Sequence, residues 1–190
     1  MIPYGSAVSW RVPPKYNGFF EKIFGYLQIW VTGQPETHCS MIMSEYKEKP
    51  GWNYEYELSI TARIAEFTLN PYCTIFDILA PIEIKVAAME KLISTTYGNF
   101  YGLPQTLIFL VRRIIELCGG NGKKIWNPFS WLGICSEGKY LYLYEIAKLM
   151  EWQDLTDYMD QWNPQVFHSG DARKVLDYMV LACYAKIIYP

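Results

Sequence analysis

Histidine is the scarcest chemistry-bearing residue in this chain: His38 and His168 are the only two in 190 residues. Two imidazoles cannot complete a Cys/His cluster at zinc-finger spacing, and the five cysteines (Cys39, Cys73, Cys118, Cys135 and Cys183) include no CxxC pair. No metal site and no cofactor motif is read. An odd number of widely spaced cysteines is also a poor disulfide framework. Reduced thiols in a cytosolic setting fit better, with at least one left to react. Basic clusters are lacking. The 17 lysines and arginines are scattered, the densest stretch is Lys123-Lys124 with Arg112-Arg113 nearby, and the net charge is −2. That is too little for an electrostatic footprint on nucleic acid. No apolar run is long enough for a transmembrane segment: Leu103 to Leu117 comes nearest, but it is short and Arg112-Arg113 interrupts it. Met1 to Pro14 has no basic stretch followed by an apolar core, so no signal peptide is read. The expected location is cytoplasmic, or within a particle such as a virion. No low-complexity tract is present, which argues against disorder.

What remains is a chain of ordinary single-domain length, half hydrophobic (51%), with sixteen tyrosines and seven tryptophans. Tyr and Trp fill cores, but their polar tips also suit them to interfaces. Some of them are therefore expected at a cleft or partner surface.

Along the chain, residues 1–18 hold three prolines and read as an extended arm preceding a single domain over 19–190. Strands are predicted over Tyr26–Val31, His38–Tyr46, Tyr54–Ile60, Ile64–Leu69 and Thr74–Ala80. The polar Lys47–Gly51 segment, with its Pro-Gly punctuation, reads as a hairpin loop, so the strands on either side of it should be antiparallel. The period then changes. Ile84, Ala87, Ala88 and Leu92 share one face of a helix predicted over Ile82–Tyr97. A second helix runs from about Pro104 to Cys118 and stops at Gly119-Gly120-Asn121-Gly122. A third starts near Cys135 and continues towards Glu151. A last one spans Asp171–Ile187, with Ser169-Gly170-Asp171 supplying its N-cap. A strand block followed by helices is an α+β layout, a small antiparallel sheet against helices.

Two distant fragments carry candidate chemistry. Thr37-His38-Cys39-Ser40 puts an imidazole on a strand, and Gly133-Ile134-Cys135-Ser136-Glu137 puts a thiol where a helix begins. A helix N-terminus and a nearby imidazolium both favour the thiolate, and the first-turn N–H groups can hold an oxyanion. Cys135 and His38 thus read as nucleophile and base, with Glu57 on the next strand to orient the ring. Neighbours on a strand point to opposite faces, so His38 and Cys39 cannot both reach one site. Plainer readings stand beside this: Cys135 as a buried apolar cysteine, His38 as a hydrogen-bonded strand histidine, Glu55 and Glu57 as a solvated strand face. A conventional-order pair, Cys39 with His168, is a further alternative, though Cys39 lies inside a strand without oxyanion donors.

The order His-then-Cys resembles the circularly permuted papain-like branch of the NlpC/P60 superfamily, the YiiX- and YebB-like proteins. The resemblance covers roughly residues 20 to 170. It is carried by Thr37-His38-Cys39-Ser40-Met41-Ile42, Tyr56-Glu57-Leu58-Ser59, Tyr97-Gly98-Asn99-Phe100-Tyr101-Gly102, Ile134-Cys135-Ser136-Glu137 and Trp162-Asn163-Pro164-Gln165, in that order. It implies a permuted papain-like domain and a cysteine hydrolase, a peptidase or amidase, cleaving an amide bond in a peptide or cell-wall peptide through Cys135, His38 and Glu57. Tyr101, Trp131 and Ser136 are the substrate-binding candidates. Papain-like folds also serve without catalysis. The alternative is therefore an inactive binding or structural protein, a phage or virus component that self-associates or meets a virion partner.

Overall fold

The computed structural model describes residues 2–11, 26, 29–43, 54–58, 62–67, 69, 71–97, 105–128 and 135–189. Its centre is a six-stranded sheet in the order β4-β3-β2-β1-β5-β6. The strands are β1 (Ala7–Arg11), β2 (Glu36–Ile42), β3 (Tyr54–Leu58), β4 (Ala62–Glu66), β5 (Cys73–Ile78) and β6 (Ala185–Tyr189). Every pairing is antiparallel. The helices are α1 (Ile82–Thr96), α2 (Gln105–Leu117), α3 (Cys135–Leu149), α4 (Gln153–Met159) and α5 (Ser169–Leu181). The fold is α+β, a sheet packed against helices.

The N-terminal segment corrects the arm-plus-domain division. Residues 7–11 are indeed extended, but they form a central strand between β2 and β5. Ala7, Val8 and Trp10 are fully buried. Helix α3 holds this strand in place: the ammonium of Lys139, itself buried, donates to the Val8 carbonyl, and the Tyr142 hydroxyl donates to the Gly5 carbonyl at 2.8 Å. The Val8 carbonyl gives the buried ammonium an acceptor, and the Gly5 carbonyl gives one to the buried Tyr142 hydroxyl.

Two other expectations change. The strand predicted over Tyr26–Val31 is helical at Tyr26 and over 29–32. Its aromatic and β-branched composition suited a strand, but the chain must turn at once into β2, and propensity yields to tertiary context. The last helix stops at Leu181, not Ile187. Cys183 takes a left-handed φ of 60°, and the following Ala-Lys-Ile-Ile-Tyr run pairs with β5 as β6. The β-branched pair Ile187-Ile188 was the sequence signal for that strand. The hairpin loop predicted at Lys47–Gly51 lies outside the described residues.

Two apolar clusters sandwich the sheet. Cys39, Met41, Phe76 and Ile78 meet Cys135, Tyr142, Leu143, Ile146, Val175 and Met179 on the helix side. Val8, Trp10, Ile42, Phe67, Cys73 and Ile75 pack on the other face. Every residue of β2 is buried, as a central strand covered on both faces requires. Among the described residues no helix is long and apolar enough to cross a membrane.

Candidate functional site

Helix α3 begins at Cys135, where the thiol was expected to open a helix. Its first turn is pinned by Ser136, whose hydroxyl donates to the Phe167 carbonyl. Ser136 is buried, and this bond fixes the start of α3 against the segment leading into α5. The first-turn N–H groups have no acceptor four residues back within the helix, the usual condition for an oxyanion or cap site. The Cys135 side chain is only 2% exposed.

The sheet register decides what lies beneath that thiol. Trp10 is opposite His38 and Ser9 is opposite Cys39. Trp10 belongs to the cluster on the face away from α3, and its indole N–H donates to the Ser40 hydroxyl at 3.3 Å. By strand alternation His38 and Ser40 share that far face, while Cys39 points to the helix layer. Cys39 duly sits in the same cluster as Cys135. The choice posed by adjacent His38 and Cys39 thus falls to Cys39. The expected nucleophile and base are placed on opposite faces of β2. Glu57 of β3 pairs with Ser40 of β2 in the strand register. Tyr101 and Trp131, the other expected binding residues, lie outside the described residues.

Around Cys39 the environment is dry. Burial pushes its thiol well above the ordinary value; Cys135 alongside reinforces this, while Lys139 and Ser169 oppose it. The Cys39 and Cys135 thiols are in hydrogen-bond contact, and the raised pKa of Cys39 leaves it little thiolate. All five cysteines are thiols, and only Cys118 and Cys183 are exposed.

His168 is engaged elsewhere. It is the N-cap of α5, its Nδ1 accepting from the Asp171 N–H at 3.3 Å while the Asp171 carboxylate accepts from the His168 N–H at 3.2 Å. This reciprocal capping box satisfies two donors at the helix start. The ring meets Phe109 edge-on at 6.0 Å between centroids. Burial drives the His168 pKa down to about 4, so the ring is neutral at neutral pH. The alternative pair, Cys39 with His168, would have to take Nδ1 from the cap. Beneath the ring, Asp171 receives the Arg112 guanidinium through bonds of 2.5 and 3.1 Å. Burial alone would raise the Asp171 carboxyl, but His168 and Arg112 outweigh it and hold it below the usual carboxylate range. Sequence reading missed Arg112 and Asp171 as a pair because 59 positions separate them. Arg112 interrupting an apolar helix was the available signal.

Beside this pair a cavity of about 270 Å³ opens, lined among others by Thr32, Gln34, Arg113, Asn121, Lys123 and Lys174. Among the described residues no group of three His, Cys, Asp or Glu side chains is arranged to hold a metal ion. Comparison with known proteins returned no matching family model, no matching curated protein and no matching solved structure.

Proposed function

We propose that this chain is a non-catalytic binding or structural protein, its Cys135 a packing thiol at the base of α3. The observation that carries the reading is the position of Cys39, not His38, on the face of β2 beneath Cys135. A base that cannot touch its nucleophile cannot activate it. The surface of α2 supports an interaction role. Leu107, Val111, Ile114 and Leu117 recur at helical spacing and are exposed by 59, 46, 52 and 69%. Contiguous apolar stripes of this kind favour partner surfaces. The partner sought first is a second copy of the chain, through light scattering over a concentration series.

The second reading is the cysteine hydrolase suggested by the NlpC/P60 resemblance. What favours it is the thiol opening α3, with first-turn N–H groups suited to an oxyanion. Iodoacetamide labelling of the native protein, resolved by site and followed across pH, separates the two. The binding reading expects Cys118 and Cys183 to label and Cys39 and Cys135 to stay inert until the protein unfolds. Labelling of Cys135 faster than Cys118, with an apparent pKa well below about 8.5, the unperturbed value, would overturn it in favour of the hydrolase.

A further inference from the structure

We propose that the cavity between the end of α2, the glycine loop after it and the start of α5 is a binding site for a small phosphomonoester. This stands independently of whether Cys135 is reactive. The chain as a whole is slightly acidic, with a net charge of −2, yet the cavity wall carries Arg112, Arg113, Lys123 and Lys174 against Glu116 as its single carboxylate.

That carboxylate is already committed. Glu116 accepts from Arg112 Nε at 2.8 Å, and Arg112's other nitrogens go to Asp171. Arg112 with its two carboxylates carries a net charge of −1, which Lys174, 3.7 Å from Asp171 Oδ1, balances. Arg113 and Lys123 carry the remaining positive charge, and Lys174 stands beside them with Asp171 as its carboxylate neighbour. Arg113 has no carboxylate partner among the described residues. Its guanidinium lies flat against the turn before β2: a Cβ on Gly33 would stand 3.0 Å from Arg113 Cζ. Gly33 also has a φ of +66°, so glycine both makes the turn and leaves the guanidinium its place. Lys123 is fixed by neutral groups, donating to Gln161 Oε1 at 2.7 Å with its ammonium 4.7 Å from the Trp162 ring centre. Lys174 is 3.7 Å from Asp171 Oδ1, so the four cations of the wall, set against Glu116 and Asp171, leave an excess of two positive charges. His168 in the wall adds no charge, because its Nδ1 is accepting from the Asp171 N–H.

The arrangement is one planar fork and two point charges, converging from α2, the 3-10 turn Gly122–Lys124 and α5. Cations approaching from separate directions match a tetrahedral dianion better than a planar carboxylate. A volume of about 270 Å³ also exceeds what a lone phosphate needs, given roughly 30 Å³ per liquid water. The surplus accommodates a small polar body, for which Thr32, Gln34 and Asn121 line the wall.

Isothermal titration of the full chain with glycerol 3-phosphate, inorganic phosphate and succinate, at ionic strength held constant with sodium chloride, tests the assignment. Glycerol 3-phosphate should bind most tightly, inorganic phosphate more weakly and succinate weakest. Arg113→Gln and Lys174→Gln should each weaken glycerol 3-phosphate about tenfold, the loss of one charge-assisted hydrogen bond, with thermal midpoints near wild type because both side chains are partly solvated. Absence of glycerol 3-phosphate binding at up to about 10 mM, weaker than any useful site, would overturn the proposal. So would succinate binding as tightly as the phosphates, inorganic phosphate binding alone, or affinities unchanged in both variants.

Discussion

Two helix starts flank Cys39, and they differ in everything but backbone. At α3 the first residue is a thiol, Cys135, set into an apolar cluster against β2. At α5 the N-cap is His168, and the first turn carries Asp171 against Arg112. Both ends share the positive end of a helix dipole, but at α5 the His168–Asp171 capping box satisfies the Asp171 N–H. One is set mainly against apolar side chains, and burial raises the pKa of the Cys39 thiol beneath it. The other is buried in a matched set of charges and borders an open, positively charged cavity. A helix N-terminus supplies a favourable field; the groups facing it decide whether that field is used for binding, catalysis or packing.

The largest expected effect breaks the charged end. Arg112→Met keeps the bulk of the side chain but leaves Asp171, fully buried, without its main counter-charge. Removing one partner of such a pair costs about 3–5 kcal/mol, read as a lower urea midpoint with the m-value unchanged. Adding Asp171→Asn to that variant should restore part of the loss, since the uncompensated charge is gone. If Arg112→Met alone costs less than about 1 kcal/mol, the scale of an exposed pair, the two ends would not differ as described.

How far the sequence exposes this contrast depends on the residue. The period-two run Tyr54–Leu58 and the 3.6-period run from Ile82 were readable, and both elements appear within a few residues of their expected ends. A helix was expected to start near Cys135, and α3 begins there. Register was not readable. Whether His38 or Cys39 faces the helices is set by the pairing of β1 with β2, and β1 lies in a segment whose prolines suggested an arm. A shift of one residue exchanges the faces, so local sequence cannot settle which side chain meets Cys135. The Arg112–Asp171 pair was hidden for a related reason: it joins α2 to α5 across most of the C-terminal half, and neither residue forms a motif with its neighbours.

The second effect is acid sensitivity, and it belongs to the same end. The His168 pKa is about 4 in the folded chain, against about 6.5 when exposed. The unfolded chain therefore binds the extra proton between those values, and stability falls as pH drops from 6.5 towards 4. Above 6.5 both states are neutral and the contribution is fully present. A shift of this size corresponds to roughly 3 kcal/mol. His168→Asn keeps an N-cap acceptor and should flatten the urea midpoint across this interval. An equally steep dependence in His168→Asn would assign the acid loss to carboxylates instead.

The smallest effect sharpens the comparison from the other side. If Cys135 serves only to pack, Cys135→Ala should cost no more than a small volume loss in a dry core, about 1 kcal/mol. It should leave the phosphomonoester affinity untouched, because the cavity draws its charge from α2, α5 and the loop between α2 and α3. Cys39→Ala should behave alike. The two thiols touch, so removing both should deviate from the sum of the single losses by about 0.5 kcal/mol or more. Denaturant midpoints of the three variants measure this directly. A buried pair that added perfectly would mean the thiols do not share one cavity. A Cys135→Ala protein more stable than wild type by over 1 kcal/mol would instead indicate strain stored at the thiol, as functional sites store it, and would return Cys135 to the chemistry its place at a helix start first suggested.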